Sequence, residues 1–313
     1  MLRELLPVNL EFIRHMDLQN CDRIHIVFDR RGSLQTEQYA RQIITEFPDL
    51  PIATHFHPNL PGRIVEHANR SKFFASLNWV TGINACTTKY AILHDFDLYP
   101  HHRQFFQAIV SAMKAGGFRF SGSEHTPFDG LTKDDGLIGT WELGVDVEWL
   151  RLHYRPIDCF HAVKKVRGRW VDLDAFSAIQ ACTPERALAE GASPDNFSHI
   201  KNLCSTYLKY NDGRPFILAW RLHCVWYLQF LSGRKERLSE IVNLMLRADA
   251  ATIEVDGKAL DFSSVHVTCS NVLDKIVNQM DRFLHGEVRR EVEEYLAATR
   301  IFLERFGDNS ELL

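Results

Sequence analysis

From residue 22 to residue 122 short β-rich runs alternate with helical segments, and that alternation restricts the chain to an α/β architecture: a doubly wound, mostly parallel sheet with helices on both faces. The runs are Asp22–Asp29, Ile52–His57, Lys89–Asp97 and Phe118–Gly122. Between them the spacing predicts helices over 35–47, over 63–86 with a break near Gly82, and over Arg103–Lys114. A further helix is predicted ahead of them at 4–16, where Leu5, Val8, Phe12 and Ile13 share one face and Pro7 falls in the first turn. Ligands of such sheets bind beyond the carboxyl ends of strands. Two of these strands end in carboxylates, at Asp29 and at Asp95 and Asp97.

After Gly122 the pattern weakens. Residues 123–140 are rich in Gly, Asp and Thr without periodicity, suggesting a mobile or acceptor-facing loop. A segment at Trp141–Val147, a strand near Phe160–Val166 and a stretch Trp170–Ala181 entering a helix follow. From 216 onward the chain reads as helical, with an apolar run at Phe216–Leu231 and an amphipathic one at Lys235–Arg247. A small hairpin is predicted at Asp256-Gly257, and two helices over 264–306 part near Gly286. The expected division is a sheet-bearing domain over 1–215 and a helical extension over 216–313.

Composition excludes several function classes. Of 313 residues 45% are hydrophobic and 24% charged, the balance of a folded globular chain. Lys and Arg total 36 against 40 Asp and Glu, so the overall cationic footprint of a dedicated nucleic-acid binder is missing. Seven cysteines are scattered and none forms CxxC, which argues against a zinc module or a disulfide framework and for a reducing compartment. With no membrane-length apolar run and an opening too soon charged for a signal peptide, the expectation is a cytoplasmic protein whose acceptor can still be lipid-linked or surface-bound. Oligomeric state is not readable from the sequence.

Asp95-Phe96-Asp97 is the sharpest chemical signal. Alternate residues of an extended chain point to one side, so the two carboxylates can converge on one hard cation. Such an ion could neutralise charge on a diphosphate leaving group. The bland alternative is that a short acidic pair caps a helix or turns a corner.

With its surroundings this stretch resembles the GT-A fold of nucleotide-sugar glycosyltransferases. Residues 24–33, Ile-His-Ile-Val-Phe-Asp-Arg-Arg-Gly-Ser, look like that family's second strand, whose terminal acid meets the base or ribose. Residues 76–97 look like the helix bearing an asparagine, Asn78, followed by the DxD strand, and His199 stands about where the family often has a late metal-binding histidine. The resemblance implies a metal-dependent hexosyl transfer from a nucleotide diphospho-sugar donor to a glycan or other hydroxyl acceptor. It implies Mn²⁺ or Mg²⁺ on Asp95, Asp97 and His199, and donor contacts from Asp29, Asn78 and Asp95. The family's first strand is not evident ahead of the opening helix, and a truncated start or a substitute from elsewhere in the chain would explain that.

Inverting transfer needs a carboxylate within reach of the acceptor hydroxyl. Asp172, Asp174 and Glu142 are the candidates. Asp172 is favoured, and a helix N-cap is the competing role for Asp172 or Asp174. Two other readings compete with the transferase. One is a degenerate transferase-like domain that binds a glycan or a protein partner. The other is a phosphatase of the haloacid dehalogenase type, against which stands the Leu98-Tyr99 continuation.

Overall fold

The computed structural model describes residues 4–28, 33–68, 71–125, 136–166, 168–213 and 219–310. The described residues form a mixed α/β protein with several small sheets and no barrel. In chain order the first half holds α1 Leu6–Arg14, β1 Ile24–Phe28, α2 Ser33–Glu46, β2 Ile52–Phe56, α3 Asn59–Ala68, α4 Ser71–Ala85, β3 Tyr90–His94, β4 Leu98–Pro100, α5 Phe105–Gly116, β5 Phe120–Gly122, β6 Glu142–Asp146 and α6 Val147–His153. The second half holds β7 Ala162–Val166, β8 Arg169–Leu173, α7 Ser177–Gln180, β9 Arg186–Leu188, β10 Phe197–His199, α8 Leu203–Asn211, α9 Arg221–Leu231, α10 Arg237–Arg247, β11 Thr252–Val255, β12 Lys258–Asp261, α11 Cys269–His285 and α12 Arg290–Phe306.

Two compact units result. Their limits do not follow the expected 215/216 division, because one unit gathers Met1–Ile13, Phe96–His101 and Ser198–Leu313, and the other holds Arg14–Asp95 and His102–Phe197.

The second of these is the sheet-bearing unit. β1 and β2 pair in parallel, Ile24 opposite Ile52 and Phe28 opposite Phe56. A separate four-stranded sheet has the order β3-β6-β5-β9, in which β6 runs antiparallel to both its neighbours and β9 runs parallel to β5. The expected mostly parallel pattern therefore does not describe this sheet. After β5 the chain doubles back, pairing His125 with Ile138 in an antiparallel bridge, so β6 returns without a crossover. Leu143 and Val145 of β6 are fully buried. α5 packs directly on Gly144 between them, where a Cβ would stand 2.6 Å from Ile109 and 2.8 Å from Met113. α4 passes without interruption through Gly82, beside Val27 of β1. No break falls there. The stretch at Trp170, expected to enter a helix, opens with strand β8, and only Ser177–Gln180 are helical.

The helical unit is built on α9, whose residues Leu222–Phe230 are buried on all sides, as expected of a helix apolar around its circumference. Phe12 of α1 packs edge-on to Tyr99 and stacks on Phe283 of α11. The hairpin at Asp256-Gly257 forms as expected, with φ of 53° and 70°, the left-handed conformation a two-residue turn demands. Arg237, nearly fully buried, pairs with Asp256 at 2.6 Å. Gly286, φ 80°, ends α11 where the break between helices was predicted.

Candidate metal centre

The apolar strand β3 delivers Asp95 at its end, and the amide of Asp95 donates to the carbonyl of Trp141 at 2.8 Å. The chain then enters β4, whose Leu98 and Tyr99 are fully buried. Asn9 of α1 secures the turn into it, because its Nδ2 donates to the carbonyls of Phe96 at 3.1 Å and Leu98 at 3.0 Å, on either side of Asp97. β10 pairs with β4, and the Ile200 amide donates to the Asp97 carbonyl at 2.9 Å. His199 is thereby set against Asp97, Nε2 to Oδ1 3.4 Å. Ser198 alongside it bonds His101 at 2.8 Å.

The result is a group of three side chains. Asp95, Asp97 and His199 each bring a ligand atom within 4.8 Å of the others'. Two carboxylate oxygens and an imidazole nitrogen form a donor set suited to a divalent cation of intermediate hardness, and Asp97 is 7% exposed, so a cation would offset the cost of burying its charge. Arg221, at the start of α9, also feels the Asp97 charge, while burial lowers the guanidinium pKa. Its Nε and Nη1 are buried and have no hydrogen-bond partner among the described residues.

Glu142 is fully buried on β6, directly opposite His94, and its Oε2 lies 2.6 Å from His94 Nδ1. Asp172 sits half-exposed on β8, accepts from Lys72 at 2.8 Å and meets His161 Nε2. The Lys72 hydrogen bond, followed by that from His161, holds its carboxyl below the usual range. Asp174 accepts from the Ala175 amide at 2.8 Å and from Thr140 Oγ1 at 3.4 Å. Neither Asp172 nor Asp174 caps α7, whose N-cap is Phe176. Asn78, on α4, lies 2.5 Å by Oδ1 from His57 Nε2, and His57 is fully buried. Asp29 lies outside the described residues.

Two contributors escape a reading of the sequence. Asn9 occupies the same helical stripe as Leu5 and Phe12, and a polar residue there, 3% exposed, is the one signal that could have exposed its role. His101, expected at the surface after Pro100, is instead half-buried, and burial pulls its pKa down to about 4; His102 is exposed as expected. Compared with family models, curated proteins and solved structures, the chain has no match.

Proposed function

We propose that the protein is a metal-dependent glycosyltransferase of GT-A-like doubly wound architecture, moving a hexosyl group from a nucleotide diphospho-sugar to an acceptor hydroxyl. The observation that carries this reading is the meeting of Asp95 and Asp97, just beyond the apolar strand β3, with His199 from a distant strand. A bound Mn²⁺ or Mg²⁺ supplies charge neutralisation for the departing diphosphate. Asp95, Asp97 and His199 hold it; Asn9 and the Ile200 amide fix the backbone that carries Asp97. Arg221 contributes Nε and Nη1 donors that have no acceptor among the described residues and feel the Asp97 charge, a fitting partner for phosphate oxygens.

Among the base candidates the environments differ. Glu142 is sealed in the sheet against His94, and Asp172 has its basicity reduced by Lys72. Among the described residues Asp174 accepts from one amide and, over a longer distance, from a hydroxyl, and we assign it the proton from the acceptor. The family's first strand is not evident ahead of the opening helix, and among the described residues β1 pairs only with β2, and β3 only with β6; both favour a glycan-binding, non-catalytic domain as the second reading.

Hydrolysis of nucleotide sugars with and without Mn²⁺ tests both. Metal-dependent release of nucleoside diphosphate, lost in Asp97→Asn, supports the transferase. Nucleotide binding without turnover supports the binding module. Turnover of a phosphomonoester with no response to nucleotide would overturn both.

A further inference from the structure

Away from the trio of Asp95, Asp97 and His199, two histidines of the sheet-bearing unit stand in direct contact. His25 of β1 and His55 of β2 meet ring to ring, with Nδ1 of the first 2.8 Å from Nε2 of the second, centroids 5.0 Å apart and planes inclined at 30°. The parallel register does not impose this meeting, because it sets His25 opposite Ala53 and Val27 opposite His55. The imidazoles reach each other along the diagonal of the ladder, and both are half-buried.

His25 and His55 share the face of the ladder that carries Val27 and turns to α4, where a Cβ at Gly82 would stand 3.7 Å from Val27. His57, two residues beyond His55, meets Asn78 of α4 at 2.5 Å, so the neighbouring histidine of the same run has a different partner. Burial, followed by the His55 charge, lowers the His25 pKa, while Asp22 raises it and Arg23 lowers it; burial also lowers that of His55. Both rings are therefore neutral at pH 7, the form that ligates a metal.

A staple between two strands would use one shared proton. The separation permits more. Two metal–nitrogen bonds of about 2.0 Å meeting at a right angle span about 2.8 Å, the distance between these two nitrogens. We propose that His25 and His55 form a two-imidazole site for a late first-row divalent ion of tetragonal preference, Ni²⁺ or Cu²⁺. The ion takes the place of the shared proton, which moves to the outer nitrogen of the ring that held it, and the rings turn so that both lone pairs face the ion. Among the described residues no third His, Cys, Asp or Glu joins the pair, so water fills the remaining positions. Purely nitrogen donors separate this site from the trio, whose two carboxylates suit Mn²⁺ or Mg²⁺. The proposal is independent of the transferase reading.

Isothermal titration of the full chain with Ni²⁺ tests it; Ni²⁺ is the probe because Cu²⁺ would oxidise the free thiols. Wild type should take up one equivalent that His25→Gln and His55→Gln each abolish. Asp97→Asn should keep that equivalent, which assigns it to the histidine pair and not to the trio. Thermal unfolding without metal is the control for folding of each variant. Where a histidine variant fails to fold, broadening of wild-type amide resonances by paramagnetic Ni²⁺ decides, and it should centre on residues 24–27 and 53–56. Absence of the equivalent in wild type, its retention in both histidine variants, its loss in Asp97→Asn, or broadening centred elsewhere overturns the proposal and leaves the contact as a hydrogen bond between strands.

Discussion

His199 Nε2 lies 3.4 Å from Asp97 Oδ1, although about a hundred residues of chain separate them, and what joins them is a backbone hydrogen bond one residue further on, from the Ile200 amide to the Asp97 carbonyl. The pairing of β10 with β4 therefore sets the site, with Asp95 included through its place in the same short acidic run.

Removing a member of the trio should abolish metal-linked stabilisation. A ligand at about 100 times its dissociation constant adds roughly 2.7 kcal/mol, a shift of a few degrees in a chain this long. Thermal unfolding with Mn²⁺ and UDP or GDP should show that shift in the wild type. It should be absent in Asp97→Asn and in His199→Ala; a shift retained by both variants would sink the site.

Asn9→Ala should uncouple the acidic run from α1. It removes two hydrogen bonds and leaves the carbonyls of Phe96 and Leu98 to find other partners, a loss of about 1 to 3 kcal/mol. Urea unfolding should report it, together with weaker Mn²⁺ binding. Asn9→Asp tests the geometry, since a carboxylate cannot donate to either carbonyl. If both variants bind Mn²⁺ as the wild type does, the clamp plays no part in holding the ion.

Some of this was readable from residues alone. Asp256-Gly257 needs two left-handed residues between strand-like runs, and Gly286 supplies the left-handed end of α11; both are local requirements that the sequence states directly. The acidic run after an apolar strand is likewise local. The pairing of β4 with β10 is not, because three-residue strands carry almost no periodicity. The His94–Glu142 contact arises only from the cross-strand register of β3 and β6, and the antiparallel course of β6 hides in a stretch with no pattern. Gly82 misled because a glycine in a helix usually weakens it, whereas here it lies against Val27.

Stability should decline on mild acidification through the buried histidines. Burial lowers His223 to about 3 and His101 to about 4 from an ordinary 6.5. Between those values the unfolded chain binds more protons, so their contribution is complete above about pH 6.5 and is lost as pH falls toward 3 to 4. His223, fully buried and 2.9 Å by Nδ1 from the Tyr295 hydroxyl, dominates, with about 3 to 5 kcal/mol at stake. Urea midpoints between pH 7 and pH 4 should fall more steeply for wild type than for His223→Gln. Parallel curves would contradict the assignment.

Asp174→Asn leaves an oxygen to accept from the Ala175 amide but removes the basic carboxylate, so transfer to the acceptor should fall about 10²- to 10⁴-fold. Binding of the nucleotide with Mn²⁺ should be unchanged, because Asp174 is not among the three metal-facing side chains. Asp172→Asn removes the carboxylate paired with Lys72 and should alter kcat by less than about tenfold, which on a rate is less than about 1.4 kcal/mol. Glu142→Gln disturbs the buried pair with His94 and should instead lower stability, by about 1 to 3 kcal/mol. Single-turnover rates and urea midpoints for the three variants separate these outcomes. A loss of transfer in Asp172→Asn with full activity in Asp174→Asn would move the base to β8, where Lys72 and His161 would have to release the carboxylate before it could take a proton.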